Sequence, residues 1–448
     1  MRASTQVALV AAAAVVGCGG RSDLEVRRAV RDAPDVVADL PGCPGAALQR
    51  GAPAPVPGYC PTRANRSLFA APDVMPAVRW TLDLDGQVDA SEQVIVGPSG
   101  RLYVRVDPID SDGVLSLTDL VAIDDRGTAG VVAWSAHFER PIAGPLLLAD
   151  GSLLVSTTLP DGGREAIWLD RDGATVRTAV LPSDVVGSPA VAQDGSLVFT
   201  AWALASDRAW SVVAMDAAGA PRWRTPAFAE AGYLRLALGE DVVVSFDRGA
   251  AAWVASLDPS TGAQAWETLL DADAPIIDGP ALGTDGAVYN VIWTASFTRT
   301  TLVVLEPDGT VRLRVDLPDP PWGGGVTSLA VGDDGTAYIK AGEGFVAIDV
   351  AGEILFRRDA HPNIPLGGVI DPEGTLLLGA GAIEAADGSD GTARWLLELP
   401  AHMDALPDGG AVFHFAGPAT IGDETLYVTD YGARLLAASP PGSRGPRR

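Results

Sequence analysis

The chain offers few residues able to do covalent chemistry, and their spacing does not favour it. Lys340 is the only lysine among 448 residues. A phosphate-cradling loop needs glycine before its lysine and Ser or Thr after it, whereas Ile339 and Ala341 flank this one. A Ser-x-x-Lys nucleophile fails too, because Ala337 stands three residues before the lysine. There is no Gly-x-Ser-x-Gly elbow and no His-Glu-x-x-His zinc helix. His137, His361, His402 and His414 are widely scattered. No catalytic residue is assigned. This favours a non-enzymatic reading without closing the question of activity.

Two other groups merit weighing as binding sites. Asp107, Asp110 and Asp112 precede Gly113 in the longest insertion of the first repeat. Clustered carboxylates in a loop suit calcium, but the spacing misses the EF-hand pattern. Asp-Gly pairs form turns throughout the chain, so turn formation is the better reading and no metal site is predicted. Trp202, Trp210, Trp293 and Trp322 lie off the regular aromatic position described below. Trp202, Trp293 and Tyr431 hold equivalent places near one end of their strands. With Trp322 they form a candidate rim suited to a peptide, a glycan or a flat ring. Packing between long loops accounts for them equally well.

The three cysteines divide by position. Cys18 directly follows an apolar run, Val7 to Val16, that is too short to span a bilayer comfortably. Val15-Val16-Gly17-Cys18 resembles a bacterial lipobox, against an ordinary secretory signal with a chance cysteine. It implies a signal peptide at 1–17, cleavage before Cys18 and acylation of that thiol with lipid, palmitate included. Gly19 after the cysteine favours the outer membrane over the inner one. In an exported chain the remaining pair, Cys43 and Cys60, is expected to bridge, with two free thiols as the alternative. A metal there is not expected, since no histidine lies near either. The net charge of -25 argues against nucleic acid, which is held by clustered Lys and Arg.

The elements that must position these residues come from a repeat. Gly 51 and Pro 34 are numerous and lie between short apolar runs, as in chains of many strands and turns. Strands start at Arg101, Ser152, Ser196, Asp241, Ala287, Thr336, Thr375 and Thr425, at spacings of 39 to 51 residues. Their next three positions are nearly all apolar, as in Leu102-Tyr103-Val104 and Leu376-Leu377-Leu378. Continuous apolar runs in short strands mean burial on both faces. Strands inside a propeller blade are buried in that way between neighbouring blades, and the repeat length fits. A turn and an aromatic follow each strand, as in Asp258, Gly262 and Trp266. The Gly-to-aromatic spacing of four recurs at Trp134, Trp223, Trp395, Phe356 and, with an aliphatic side chain, Leu313. These side chains are expected to pack onto the next blade. Gly173 breaks the rule, with Arg177 at the aromatic position.

The segment Leu257 to Trp266 resembles the tryptophan-docking repeat of the pyrroloquinoline-quinone (PQQ) type. So do the openings Gly144-Pro145, Ser188-Pro189, Gly279-Pro280 and Gly417-Pro418. The resemblance implies an all-β, eight-bladed β-propeller of four-stranded antiparallel blades over 76–440. Residues 18–75 read as a tether and 441–448 as a disordered tail. The last repeat lacks a fourth strand, and Val78 to Leu82 has one to spare, with Trp80 at the aromatic position. The ring is therefore expected to close through an N-terminal strand. The chain also resembles the propeller lipoproteins that serve outer-membrane β-barrel assembly. That likeness implies a non-catalytic scaffold with a protein partner in the envelope, a monomer being the simplest state. A carbohydrate- or cell-surface-binding propeller is the alternative. A periplasmic PQQ-dependent dehydrogenase is a weaker one. That family holds PQQ over calcium beside a disulfide of adjacent cysteines, and this chain has neither such a pair nor long insertions. No cofactor is expected.

Overall fold

A computed structural model describes Cys43 and most of residues 47–443. Outside the described residues lie 1–42, 44–46 and 444–448. So do short stretches between strands, including 89–92, 108–116, 204–208, 294–298, 318–327, 360–365, 406–410, 414–418 and 431–433. The predicted positions Cys18, Trp322, Tyr431, Asp110, Asp112, His361 and His414 fall there, as does His402. No helix occurs among the described residues.

Eight four-stranded antiparallel sheets follow one another along the chain. Blade 1 is Ile95–Val96, Arg101–Val106, Thr118–Asp125 and Gly130–Phe138. Blades 2 to 7 repeat this order from Ile142–Leu147, Val185–Val191, Leu234–Leu238, Ile276–Leu282, Ser328–Val331 and Leu366–Ile370. Blade 8 contains Thr420–Gly422, Thr425–Thr429 and Arg434–Ser439. First strands of successive blades adjoin from blade 8 through blade 7, so they form the inner wall. Each second strand is one of the apolar runs read from the sequence, and its side chains fill the seams to both neighbouring blades. Val104 and Leu377, for example, belong to the core between blades 7, 8 and 1. The Gly-Pro pairs at Gly144 and Gly279 sit where the inner strand loses register with the second. Proline has no N–H to give the ladder, so it is accommodated where pairing is interrupted.

Three outer-strand tryptophans reach the next blade's outer turn, whereas the Trp395 indole donates to Pro72 O. The Trp134, Trp223 and Trp266 indoles donate to the carbonyls of Arg171, Pro259 and Pro307, each in the next blade's outer turn. The ring covers that turn's glycine. A Cβ on Gly309 would lie 2.6 Å from the Trp266 ring, and one on Gly391 2.6 Å from Phe356. Glycine is therefore required twice at this point, for its positive φ and for the ring above it. Arg177 fills the aromatic position by other means. Its guanidinium lies 3.7 Å from the Trp168 ring centroid and donates to Ala217 O, the acceptor equivalent to Pro259 O.

The ring closes through Ala77–Asp83, which pairs with Arg434–Ser439 in the register Trp80↔Ala437 and Leu82↔Leu435. Asp125 of blade 1 holds the seam. It accepts from Trp80 Nε1 at 3.0 Å, from the Tyr427 hydroxyl at 2.8 Å and from Arg79. Full closure leaves no open seam between first and last blades. Burial and the Asp125 carboxylate together hold the Tyr427 hydroxyl well above its usual pKa.

Within the stretch read as a tether, residues 47–72 pack on the ring. This segment is laid across the ends of all eight inner strands. Its backbone bonds Ala192 through Ala47, Leu147 through Gln49 and Val96 through Ala54. Tyr59 takes blade 8, its hydroxyl donating to Ala419 O and accepting from Ile421 N. The carbonyls of Pro61, Thr62, Ala64 and Asn65 then accept from Leu238, Leu282, Val331 and Ile370 in turn. The segment thus passes over blades 3, 2, 1 and 8, turns, and continues over blades 4, 5, 6 and 7. Leu48, Ala52, Ala54, Val56, Tyr59 and Ala64 are buried against the blades. Non-glycine residues with positive φ concentrate here: Tyr59, Arg63 and Asn65, against Glu424 alone elsewhere among the described residues. Such conformations persist where surrounding contacts over-determine them. Cys43 and Cys60 are bonded, with Cα atoms 5.4 Å apart.

Candidate functional site: the loop face

Residues 47–72, the plug, cover one end of the ring and give it two unlike faces. Inner strands end beneath it, so the turns to the second strands and the turns before the outer strands share its side. Those turns are tight and are capped by carboxylates. Asp170, Asp216 and Asp349 each accept two backbone N–H groups within their own turn. Asp387 does similar work for Ser389, and the Arg394 guanidinium, followed by the Ser389 bonds, draws its carboxyl down to about 2. Much of the chain's acidity therefore has a local structural reason. The opposite face carries the connections from second to third strands and from outer strands to the next blade.

Of the predicted rim residues, Trp202 and Trp293 lie near strand ends on this loop face. Trp202, near the end of the second strand of blade 3, pairs with Trp210 at the start of the third. Their rings stack with centroids 5.8 Å apart and planes 11° apart. Trp293 ends the equivalent strand of blade 5. Trp322 and Tyr431 lie outside the described residues.

The structure adds aromatics that reading by repeats missed. Phe228 follows blade 3 and bonds to Trp210, its N–H donating to Trp210 O at 2.6 Å. Its ring lies 4.9 Å from that of Phe246 in blade 4, and Phe246 pairs across the strand with Trp253. Arg248 sits over both rings, 5.1 Å from Phe246 and 4.9 Å from Trp253, and is bidentate to Glu267. Trp202, Trp210, Phe228, Phe246 and Trp253 thus run from blade 3 to blade 4. The buried Nε1 atoms of Trp202, Trp210, Trp253 and Trp293 have no hydrogen-bond partner. An indole prefers a partner for its N–H when its ring is sheltered. The sequence signal was the Trp202–Trp210 spacing across one hairpin; Phe228 and Trp253 joined through inter-blade register that no spacing reveals.

Asp107, His137 and Lys340 are the other candidates among the described residues. Asp107 is buried and accepts from Arg105 and from the Thr118 hydroxyl at 2.7 Å. His137 pairs with Asp119 on an outer strand. No group of three or more His, Cys, Asp or Glu able to hold a metal occurs among the described residues. Lys340 is buried in blade 6 opposite Ser328, and desolvation lowers its pKa to about 8.

The family model of the outer membrane protein assembly factor BamB matches residues 118–278. No individually curated protein matches the chain. Among solved structures, BamB from Moraxella catarrhalis is 15% identical, with a TM-score of 0.55 over 82% of this chain and 100% of that one. Quinohemoprotein alcohol dehydrogenase from Comamonas testosteroni is 13% identical, with a TM-score of 0.57 over 88% and 81%. Sqt1 from Saccharomyces cerevisiae reaches 0.52 at 10% identity over 83% and 100%. At these identities the structural likenesses speak to fold alone, and that fold serves a redox enzyme as readily as an assembly factor.

Proposed function

We propose, from the premise of a PQQ-like propeller resembling an outer-membrane assembly factor, that this chain is a lipid-anchored envelope scaffold. It docks a protein partner on its loop face. The observation that supports this reading is the asymmetry of the ring. One mouth is closed by the plug and rimmed by turn-forming carboxylates. The other bears the partly exposed Trp202–Trp210 stack and Trp253, set over the buried Phe228 and Phe246. Aromatics with an arginine among them are the side chains that anchor protein interfaces. The test is crosslinking capture from detergent-solubilised envelope. A Trp202→Ala/Trp210→Ala double variant should lose at least tenfold of a partner retained by the wild type. Glu353→Gln, on an exposed turn of the plug face, should retain it. Equal capture by all three proteins would remove the loop face as the docking surface.

The stacked, partly exposed Trp202–Trp210 pair supports a second reading, a glycan-binding propeller, since a sugar packs on such ring faces. A saturable change in tryptophan fluorescence with soluble envelope glycan, absent from the double variant, would favour it over a protein partner.

The anchor has its own check. Mass spectrometry of native protein should show loss of residues 1–17 and added lipid on Cys18. An unmodified Cys18 would leave the scaffold without its membrane attachment.

A further inference from the structure

We infer that the outer strand of blade 2, Thr175–Leu181, is a self-association edge, through which two copies of this chain pair antiparallel about Thr178. An outer strand spends one side of its backbone on the third strand of its blade and leaves the other side without a partner. Thr175–Leu181 is exposed along nearly its whole length. Val180 is 73% exposed and Val176 60%, the two highest values for a large apolar side chain among the described residues. Val176 is also the residue its own sheet leaves over. Arg177 pairs with Trp168 and Thr175 with Leu169, so the register skips the valine between them. Folded proteins normally blunt such an edge with charge. The outer strands of blades 3 to 8 do so, with Arg224, Glu267, Arg314, Arg357, Glu398 and Asp83 among their residues. Blade 2 does not. The one charged residue of its outer strand, Arg177, is turned aside onto the Trp168 ring and bonded to Ala217 O.

The strand's own pattern fits a second copy of itself. Outwards from Thr178, Val180 stands two residues one way and Val176 two the other. Antiparallel pairing about that threonine therefore sets Val176 of each copy against Val180 of the other, with Thr178 facing Thr178. Apolar cross-strand pairs of this kind are what stabilise a sheet. Charge points to the same edge. With a formal net charge of -25, two copies repel over most of their approaches. Thr175–Leu181 carries no carboxylate, and Glu165, opposite Val180, stands one strand further in. The pairing is isologous, so it closes at two copies. The loop-face tryptophans take no part in it. A strand pair this short buries less than the ~1,200–2,000 Å² of a stable interface, so the dimer is a reversible one.

Analytical ultracentrifugation of the full chain carrying Cys18→Ser, which removes the cysteine outside the disulfide, tests the edge. Its weight-average mass should rise from monomer towards dimer with concentration and go no further. Adding Val176→Lys/Val180→Lys should raise the dissociation constant at least tenfold. That variant should still unfold at the denaturant concentration of its parent, because both side chains stand in solvent. Crosslinking reads the register without those lysines. Thr178→Cys sits on the two-fold axis and should form an interchain disulfide, on mild oxidation, at least tenfold faster than Ser135→Cys, an exposed position on the outer strand of blade 1. A monomer at every concentration would overturn the proposal. So would association that the paired lysines leave unchanged, or equal crosslinking at the two cysteines.

Discussion

Trp80→Ala should lower the unfolding free energy by about 3–5 kcal/mol, the range for removing a large buried aromatic. The ring is buried between blades 8 and 1. A Cβ on Gly130 would lie 2.7 Å from it, so blade 1 has shaped its turn to that ring. The indole also donates to Asp125, a carboxylate already buried and shared with Tyr427 and Arg79. Truncation opens a cavity and removes one partner of a buried charge at the same time. The same change at Trp266 should cost less. That ring is only half-buried, and it lies where one blade is joined to the next by continuous chain. Denaturant unfolding of the two variants against wild type provides the check. A Trp80→Ala protein as stable as wild type would mean that the seam between first and last blades bears no load there.

How much of this was legible in the sequence depends on which atoms do the work. The second strands announced themselves because both faces are buried, and the structure places strands over Leu102 to Val104 and Leu376 to Leu378. Closure by Val78 to Leu82 followed from one missing and one surplus strand. The docking glycines and tryptophans were legible because two constraints, positive φ and a ring overhead, act on the same residue. Arg177 was not, since a guanidinium replaces an indole only once its stacking on Trp168 and its bond to Ala217 O are known. The loop-face run of aromatics was half legible. Trp202 and Trp210 face each other across a hairpin, but Phe228 meets Phe246 only through the angle between two blades. The plug was hidden for a different reason. Its seat is made by backbone groups spaced irregularly along 47–67, so it imposes no hydrophobic period. Its proline, alanine and glycine content looks like that of a linker.

Two truncations should therefore separate sharply. Residues 19–42 belong to no repeat, and a protein lacking them should unfold as wild type does. Removing 19–70 should cost on the order of 5 kcal/mol or more. Leu48, Val56 and Tyr59 are each buried in the folded ring, and full burial of such side chains contributes roughly 1.5–3 kcal/mol apiece. The backbone bonds to Val96, Leu147, Ala192, Leu238, Leu282, Val331 and Ile370 go with them. The inner-strand ends would be left with apolar seats exposed to water, and such edges invite association between copies. The long truncation should thus unfold at lower denaturant or accumulate as oligomers, while the short one remains as stable as the parent. Size-exclusion chromatography and denaturant unfolding of both lipid-free proteins, side by side, make the comparison. If the two truncations unfold at the same denaturant concentration and elute alike, residues 47–70 contribute nothing to the ring, and the plug rests on the blades without supporting them.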